Sequence, residues 1–476
     1  MRVLQGDRVD GKTRVLQGLD TVPWEDLGHA YGSAADVPGL LRKLLDPDPK
    51  VRSETLWTLY GNVFHQGTRY PATGHVIPFL IEMCSCRQVP NRGDLLRYWG
   101  NLISGYFSVL ERPCWGDGER VYDYGQVIAP ETEDPSWEDY SAALHHVYRE
   151  SVKGHGVVCS LLADDDHGVR AGAAWVLACM PTMASASVPR LEARLGVEPS
   201  GWVRAAVAFA LGELGASTPL HSILADDPFP AARCIAACEL ARIAPTVALI
   251  EPLLQFVSEP IEGYDNVPGA GGKSTGDAAF SISNLPPETQ QMAIPAICDR
   301  LDQARSFDTM PLVSALLAAA FPKCSGAVGE LNALQRQVLA RMVNTEELWE
   351  IGNLMWTFQS HGLPWDRGKC AELVGVQVAD DEALKSLRSG LAFAHIGFFE
   401  KGREAILKAL AMDPAVFERA PGPDECWLLC AKAFAESDPE RAVAAFRRAI
   451  SINPRMALQV NPAWRLADLL KEQGVA

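Results

Sequence analysis

LADDDHGVRAGAAWVLACM, residues 162–180, has a counterpart in VEPSGWVRAAVAFALGELG, residues 197–215. In each, an acidic residue stands six positions before an arginine, and the arginine opens an apolar helical stretch. The pattern occurs four times, as Asp46/Arg52, Asp164/Arg170, Glu198/Arg204 and Asp227/Arg233. Val or Ala precedes each arginine (Val51, Val169, Val203, Ala232), and SETLWTLYGNV, AGAAWVLACM, AAVAFALGELG and CIAACELARI follow. A unit recurring in this way reads as a stacked helical array, and such arrays more often bind than catalyse. The acid and arginine read as scaffold, with the carboxylate bonding backbone amides or the arginine at the turn.

Working outward, DVPGLLRKLL (residues 36–45) reads as a first helix with Asp36 as its N-cap. The DPDP turn ends it, because proline cannot continue a helix. Residues 51–63 form the second helix. VPGLL at Val37 returns as VIPFL at Val76, and LYGNV at Leu59 as YWGNL at Tyr98. Pro38 to Pro78 is 40 residues and Gly61 to Gly100 is 39. That period belongs to HEAT or armadillo units. Further pairs fall at about 141–180, 185–215, 217–244, 245–285 and 290–321. Residues 1–22, in which RVLQG occurs twice, read as an irregular start. Residues 111–140 are acidic, aromatic and rich in Gly and Pro, and read as an insertion.

The C-terminal part changes character. Gly390, Phe393, Gly397, Phe399, Gly402, Ile406, Ala409 and Pro414 fall at tetratricopeptide offsets, with a second copy at Leu429, Cys430, Ala442, Phe446, Ala449 and Pro454. Residues 463–470 would be the capping helix. The expected division is therefore 1–22 irregular, 23–325 a HEAT-like array, 326–380 a helical junction and 381–476 tetratricopeptide-like helices.

Bulk properties narrow the function. The chain has 476 residues, 48% hydrophobic and 21% charged, with a formal charge of −16. Nucleic acid is disfavoured, because phosphate binding needs a basic face; a basic protein partner would suit the acidity. The twelve cysteines are scattered through helical stretches without a CxxC pair. The opening MRVLQGDRVDG has no apolar signal region, and no run of ~18 apolar residues exists. A reducing cytoplasm is the expected compartment.

Few motifs offer chemistry. PGAGGKST (residues 268–275) imitates a phosphate loop, but Val267 stands where that loop needs its first glycine, so it reads as a flexible inter-helix loop. No HExxH or GxSxG occurs, and His145 and His146 diverge by about 100° on a helix. No metal, cofactor or catalytic residue is expected. His65-Gln66-Gly67-Thr68-Arg69-Tyr70 reads either as a helix end closed by Gly67 or as a recognition corner offering His65, Gln66, Arg69 and Tyr70 to a partner.

The helical wheel supplies the main site candidate. With each repeat arginine at zero, position +5 lies about 160° from the centre of the apolar stripe. Charged or polar residues are usual there. This chain has Trp57, Trp175, Phe209 and Cys238. Either the aromatics form a binding stripe in the concave groove lined by second helices, or they pack against neighbouring helices or under the insertion.

Residues 24–321 resemble HEAT-repeat proteins in the acid-x5-Arg pattern with its preceding Val. More narrowly, WEDLGHAYGSAADVPGLL followed by YGNVFHQGTRY resembles bacterial HEAT-repeat proteins that share their repeat with phycobilin lyases. The resemblance implies a right-handed all-α solenoid, here followed by a short tetratricopeptide-like array. It implies a non-enzymatic protein-binding scaffold, with an immunity- or antitoxin-like role as one form. The alternative is a lyase-like enzyme or chaperone that takes a small molecule in the groove. The insertion and the C-terminal array depart from a plain HEAT protein.

Overall fold

The structure is a computed structural model; it describes residues 15–65, 67–105, 135–270, 272–321, 323, 326–377, 382–395, 397–420, 422–460 and 465–472. The fold is all-α. Among the described residues the only strands are two-residue pairs forming two tight hairpins, Gly28–His29 with Gly32–Ser33 and Phe64–His65 with Thr68–Arg69. By internal contacts the chain divides into two units, residues 1–376 and 377–476.

In the first unit most helices come as successive pairs, and three groups hold three helices. The first pairs are α1 (Val37–Lys43) with α2 (Pro49–Asn62), and α3 (Thr73–Ser85) with α4 (Arg92–Ser104). Then α5 (Pro135–Lys153) and α6 (His155–Leu161) precede α7 (His167–Ala178). Next come α8 (Ala184–Leu195) with α9 (Gly201–Glu213), α10 (Ser217–Asp226) with α11 (Pro230–Ile243), and α12 (Ile250–Ser258) with α13 (Ser274–Ile282). α14 (Pro287–Met292) and α15 (Ile294–Leu301) precede α16 (Thr309–Ala320), and α17 (Ala333–Asn344), α18 (Leu354–Ser360) and α19 (Arg367–Val374) follow. The second helices α4, α7, α9, α11, α13 and α16 each pack on the next in that order. Of the stretch read as an insertion, residues 135–140 belong to α5 and residues 111–134 lie outside the described residues.

The acid-x5-Arg pattern has one geometry in all four copies. The arginine donates to the acid's backbone carbonyl: Arg52 to Asp46 O at 2.7 Å, Arg170 to Asp164 O at 2.9 Å, Arg204 to Glu198 O at 3.2 Å and Arg233 to Asp227 O at 2.7 Å. The carboxylate accepts the amide two residues on, from Asp48, Asp166, Ser200 and Phe229 respectively. In the last three copies its remaining capacity reaches back to the preceding repeat. Arg92 pairs with Asp164 at 2.9 Å, Arg170 with Glu198 at 2.8 Å, and Arg204 Nε donates to Asp227 at 2.8 Å. Burial raises the Asp164 and Glu198 carboxyls, but the arginine and amide hydrogen bonds outweigh it, and both end below the usual carboxylate range. The pattern thus pins each turn internally and each repeat to its neighbour.

One local expectation is corrected. Asp36 sits at the start of α1 but does not cap it; its carboxylate takes His29 Nε2 at 2.9 Å and Asn62 Nδ2 at 2.7 Å. In the irregular start, Leu19 is buried, and the Leu16 amide donates to Glu82 Oε2 at 2.7 Å. Residues 1–14 lie outside the described residues.

In the second unit, α20 (Glu382–His395) pairs with α21 (Phe399–Met412). After the short α22 (Val416–Arg419), α23 (Pro423–Phe434) pairs with α24 (Pro439–Ile452), and α25 (Arg465–Glu472) closes against both. Helix α22 brings buried Phe417 to stack on Trp427, with ring centroids 4.0 Å apart. Helices α20 and α21 cross backbone to backbone. A Cβ on Gly390 would lie 2.8 Å from both Gly402 O and Ile406 Cγ1. Gly390→Val should therefore destabilise this unit by about 1–3 kcal/mol through overpacking, read as a lower urea midpoint. An unchanged midpoint would refute the close crossing.

Candidate functional site

The +5 positions all lie on second helices, but they do not form an open stripe. Trp57 on α2 is 80% exposed. Trp175 on α7 is 4% exposed, and Phe209 on α9 and Cys238 on α11 are also buried. Two things bury them. Neighbouring second helices press together: Trp175 Nε1 donates to Asn101 Oδ1 on α4 at 3.1 Å, and the Trp175 and Phe209 rings lie 5.6 Å apart. A Cβ on Gly100 would lie only 2.2 Å from Trp175, so α4 admits the indole because it carries glycine there. The chain between α12 and α13 then covers the face. A Cβ on Gly269 would meet Phe209 at 2.6 Å and Trp175 at 2.9 Å. Trp175 and Phe209 are thus not freely offered, and residues 268–270 are a seated segment rather than a loose loop.

An open portion remains at the N-terminal end. The 40-residue spacing pairs Trp57 with Arg97 on α4, which is exposed. Arg97 donates to Asn266 O at 3.0 Å, marking how far the covering segment reaches. Tyr60, one turn beyond Trp57, accepts from Asn101 Nδ2 at 2.9 Å and meets Tyr98 edge-on at 4.5 Å. One row therefore runs Trp57/Tyr60, Arg97/Asn101, Trp175, Phe209. Arg97 and Asn101 escaped the reading anchored on the four arginines; the 40-residue spacing from Trp57 marks Arg97, but Tyr60 and Asn101 are joined only by their hydrogen bond.

The recognition corner resolves into the second hairpin. Gly67 has φ +85° but turns a β-hairpin and does not close a helix. Arg69 is 3% exposed, with Nε donating to Leu102 O at 2.9 Å and Nη2 to Ile103 O. It caps the C-terminus of α4, where a cation satisfies orphan carbonyls, and is not presented to a partner. His65 and Tyr70 are half-buried; Gln66 lies outside the described residues. His65 meets exposed Tyr31 edge-on at 5.6 Å.

Two clusters bring His side chains against a thiol or a second imidazole. Cys159 Sγ lies 3.5 Å from His155 Nε2, which also meets Ser187 Oγ at 2.9 Å. Burial pushes the thiol up, and burial together with Arg190 pushes the imidazole down, so the pair rests neutral rather than as thiolate and imidazolium. His146 does not point toward a shared ligand with His145; it packs edge-on against His75 at 4.5 Å, and burial lowers both. Among the described residues no three His, Cys, Asp or Glu side chains converge as metal ligands would. A cavity of about 740 Å³ lies apart from the row, lined by Val328, Gln359, Leu363, Lys369 and Leu373 among others. Among the described residues no single helix is long and apolar enough to cross a membrane.

No family model matches the chain, and no curated protein matches it. A solved structure of an engineered protein aligns over 92% of this chain and 97% of its own, at 15% identity and a TM-score of 0.30, a score too low to assign a shared fold.

Proposed function

We propose that the protein is a non-enzymatic binding module that takes a protein partner on the open N-terminal end of its second-helix row, with Trp57 as the anchor. The observation that supports this most is the contrast along one structural position. Trp175 and Phe209 are covered, whereas the equivalent Trp57 is 80% exposed. An indole held in water on a rigid helix, one turn from Tyr60, has the composition of a binding hot spot. The net charge of −16 would speed encounter with a basic partner. HEAT-like and tetratricopeptide-like identity would fit this use, since both array types present a long face to proteins.

The test is site-specific photocrosslinking in the producing cell. A crosslinker at position 57 or 97 should yield one discrete adduct, and one at Ser185 on α8 should yield none. No adduct from 57, or equal adducts from 185, would overturn the proposal.

A further inference from the structure

The connection between α12 and α13 is longer than its neighbours. It runs over residues 259–273, whereas α10 joins α11 through residues 227–229 and α8 joins α9 through residues 196–200. A helix pair needs only a few connecting residues, and an excess of this size calls for a separate reason.

The segment is built from turns. The Asn266 amide donates to Gly263 O, and the Val267 amide to Tyr264 O. The Ala270 amide donates to Val267 O at 3.1 Å. Pro268 and Gly269 occupy the two central places of that last turn, and Gly269 has φ +86°. Proline followed by a positive-φ glycine is the signature of a type II turn.

The turn is seated on side chains that come from far away in sequence. Gly269 lies against the edges of the Trp175 and Phe209 rings, where no Cβ fits. Val267 and Pro268 are buried. Tyr264 is 1% exposed and donates to Asp277 Oδ2 at 3.0 Å. Arg97 holds the backbone carbonyl of Asn266, a contact indifferent to side-chain identity. A backbone carbonyl on arginine, a buried proline and a glycine against aromatic rings are contacts that peptide-binding grooves make with a foreign segment.

We infer that the seat formed by the Trp175 and Phe209 rings is a recognition site for a Pro-Gly turn in a peptide, occupied in this structure by the protein's own residues 267–270. The peptide it takes carries Val-Pro-Gly with an aromatic residue three positions before the valine, as Tyr264 stands before Val267. The site adjoins the Trp57 surface but does not depend on it. Release of the segment would extend the open row from Arg97 to Phe209.

The test replaces residues 259–270 by a Gly-Ser linker in the full chain and titrates in the peptide EPIEGYDNVPGA, read by tryptophan emission and calorimetry. Saturable one-to-one binding is expected. It should weaken on the order of tenfold when the peptide carries Gly269→Ala, and by a similar factor against the unaltered protein, whose seat is filled. A shortened chain with native helical signal that ignores the peptide, or takes both peptides equally, overturns the inference. Should the shortened chain not fold, full-length Gly269→Ala serves instead. It should keep its helical signal, shift its tryptophan emission and accept the free peptide. Unshifted emission, or loss of the helical signal, overturns the inference, the latter because the segment would then be obligate core. Crosslinking from position 57 is expected to be the same in all these variants, so the two readings fail separately.

Discussion

Glu198→Ala is expected to lower the stability of the first unit by about 3–5 kcal/mol, because breaking a buried ion pair leaves its partner uncompensated. Glu198 is 4% exposed and serves three groups at once. It accepts from Arg170 Nε and Nη2, both at 2.8 Å, caps the Ser200 amide at 2.9 Å, and lies 2.8 Å from Arg194 Nε. Arg170 is 7% exposed and has no other carboxylate at that distance among its described contacts. Replacing both partners, Arg170→Met with Glu198→Leu, should recover most of the loss, since a buried pair exchanged for packed apolar residues is often neutral. The pH dependence has a definite sign. The folded Glu198 carboxyl lies below its usual range, despite burial, because of the Arg170 and Ser200 hydrogen bonds. Its contribution is therefore full above the ordinary glutamate value near ~4.3 and drains as pH falls through and below it. Urea denaturation should show the gap between wild type and Glu198→Ala closing as the solution is acidified. A gap that stays constant would mean that Glu198 acts through packing alone.

This ladder was readable from the sequence because its geometry is local. A six-residue offset fixes one turn, and the turn alone decides that the arginine finds the acid's carbonyl. The link to the next repeat was only half visible: the carboxylates of Asp164, Glu198 and Asp227 look back to an arginine of the preceding repeat. The first repeat departs from this. Arg52 meets Asn91 at 3.1 Å, and Asn91 holds a left-handed φ of +54°, so no acid marks that junction. The glycines at the α20–α21 crossing were equally legible, because Gly390 and Gly402 lie in adjacent helices of one hairpin. The state of Trp175 was not. What covers it is Gly269, 94 residues on, and no periodicity carries that information. The one cue was the glycine pair itself: Gly100 and Gly269 stand where an indole and a benzyl ring must be admitted. Arg69 was misread for the opposite reason. Its neighbours in sequence look like an exposed corner, but its three bonding partners are the carbonyls of Gly67, Leu102 and Ile103.

Phe209→Ala and Trp57→Ala should produce opposite results, although both residues occupy position +5. Phe209 is fully buried between Trp175 and Gly269. Truncating a buried phenylalanine costs about 3–5 kcal/mol, from lost transfer energy and from the void left behind. Here the void opens directly under the Pro-Gly turn, so the covering segment should loosen along with the melting temperature. The emission of Trp175 and Trp202 should shift red, because a Cβ on Gly263 would lie 3.1 Å from the Trp202 ring, within the same seat. Trp57 makes no such contribution. At 80% exposure its removal should change stability by no more than about 0.5 kcal/mol. Its loss should instead fall on association: a tryptophan hot spot is worth about 2 kcal/mol or more, roughly a 30-fold drop in partner affinity. The two measurements separate scaffold from surface. If Trp57→Ala melts as early as Phe209→Ala, the indole is core and the proposed surface is gone; if it melts normally and binds normally, the surface lies elsewhere on the molecule.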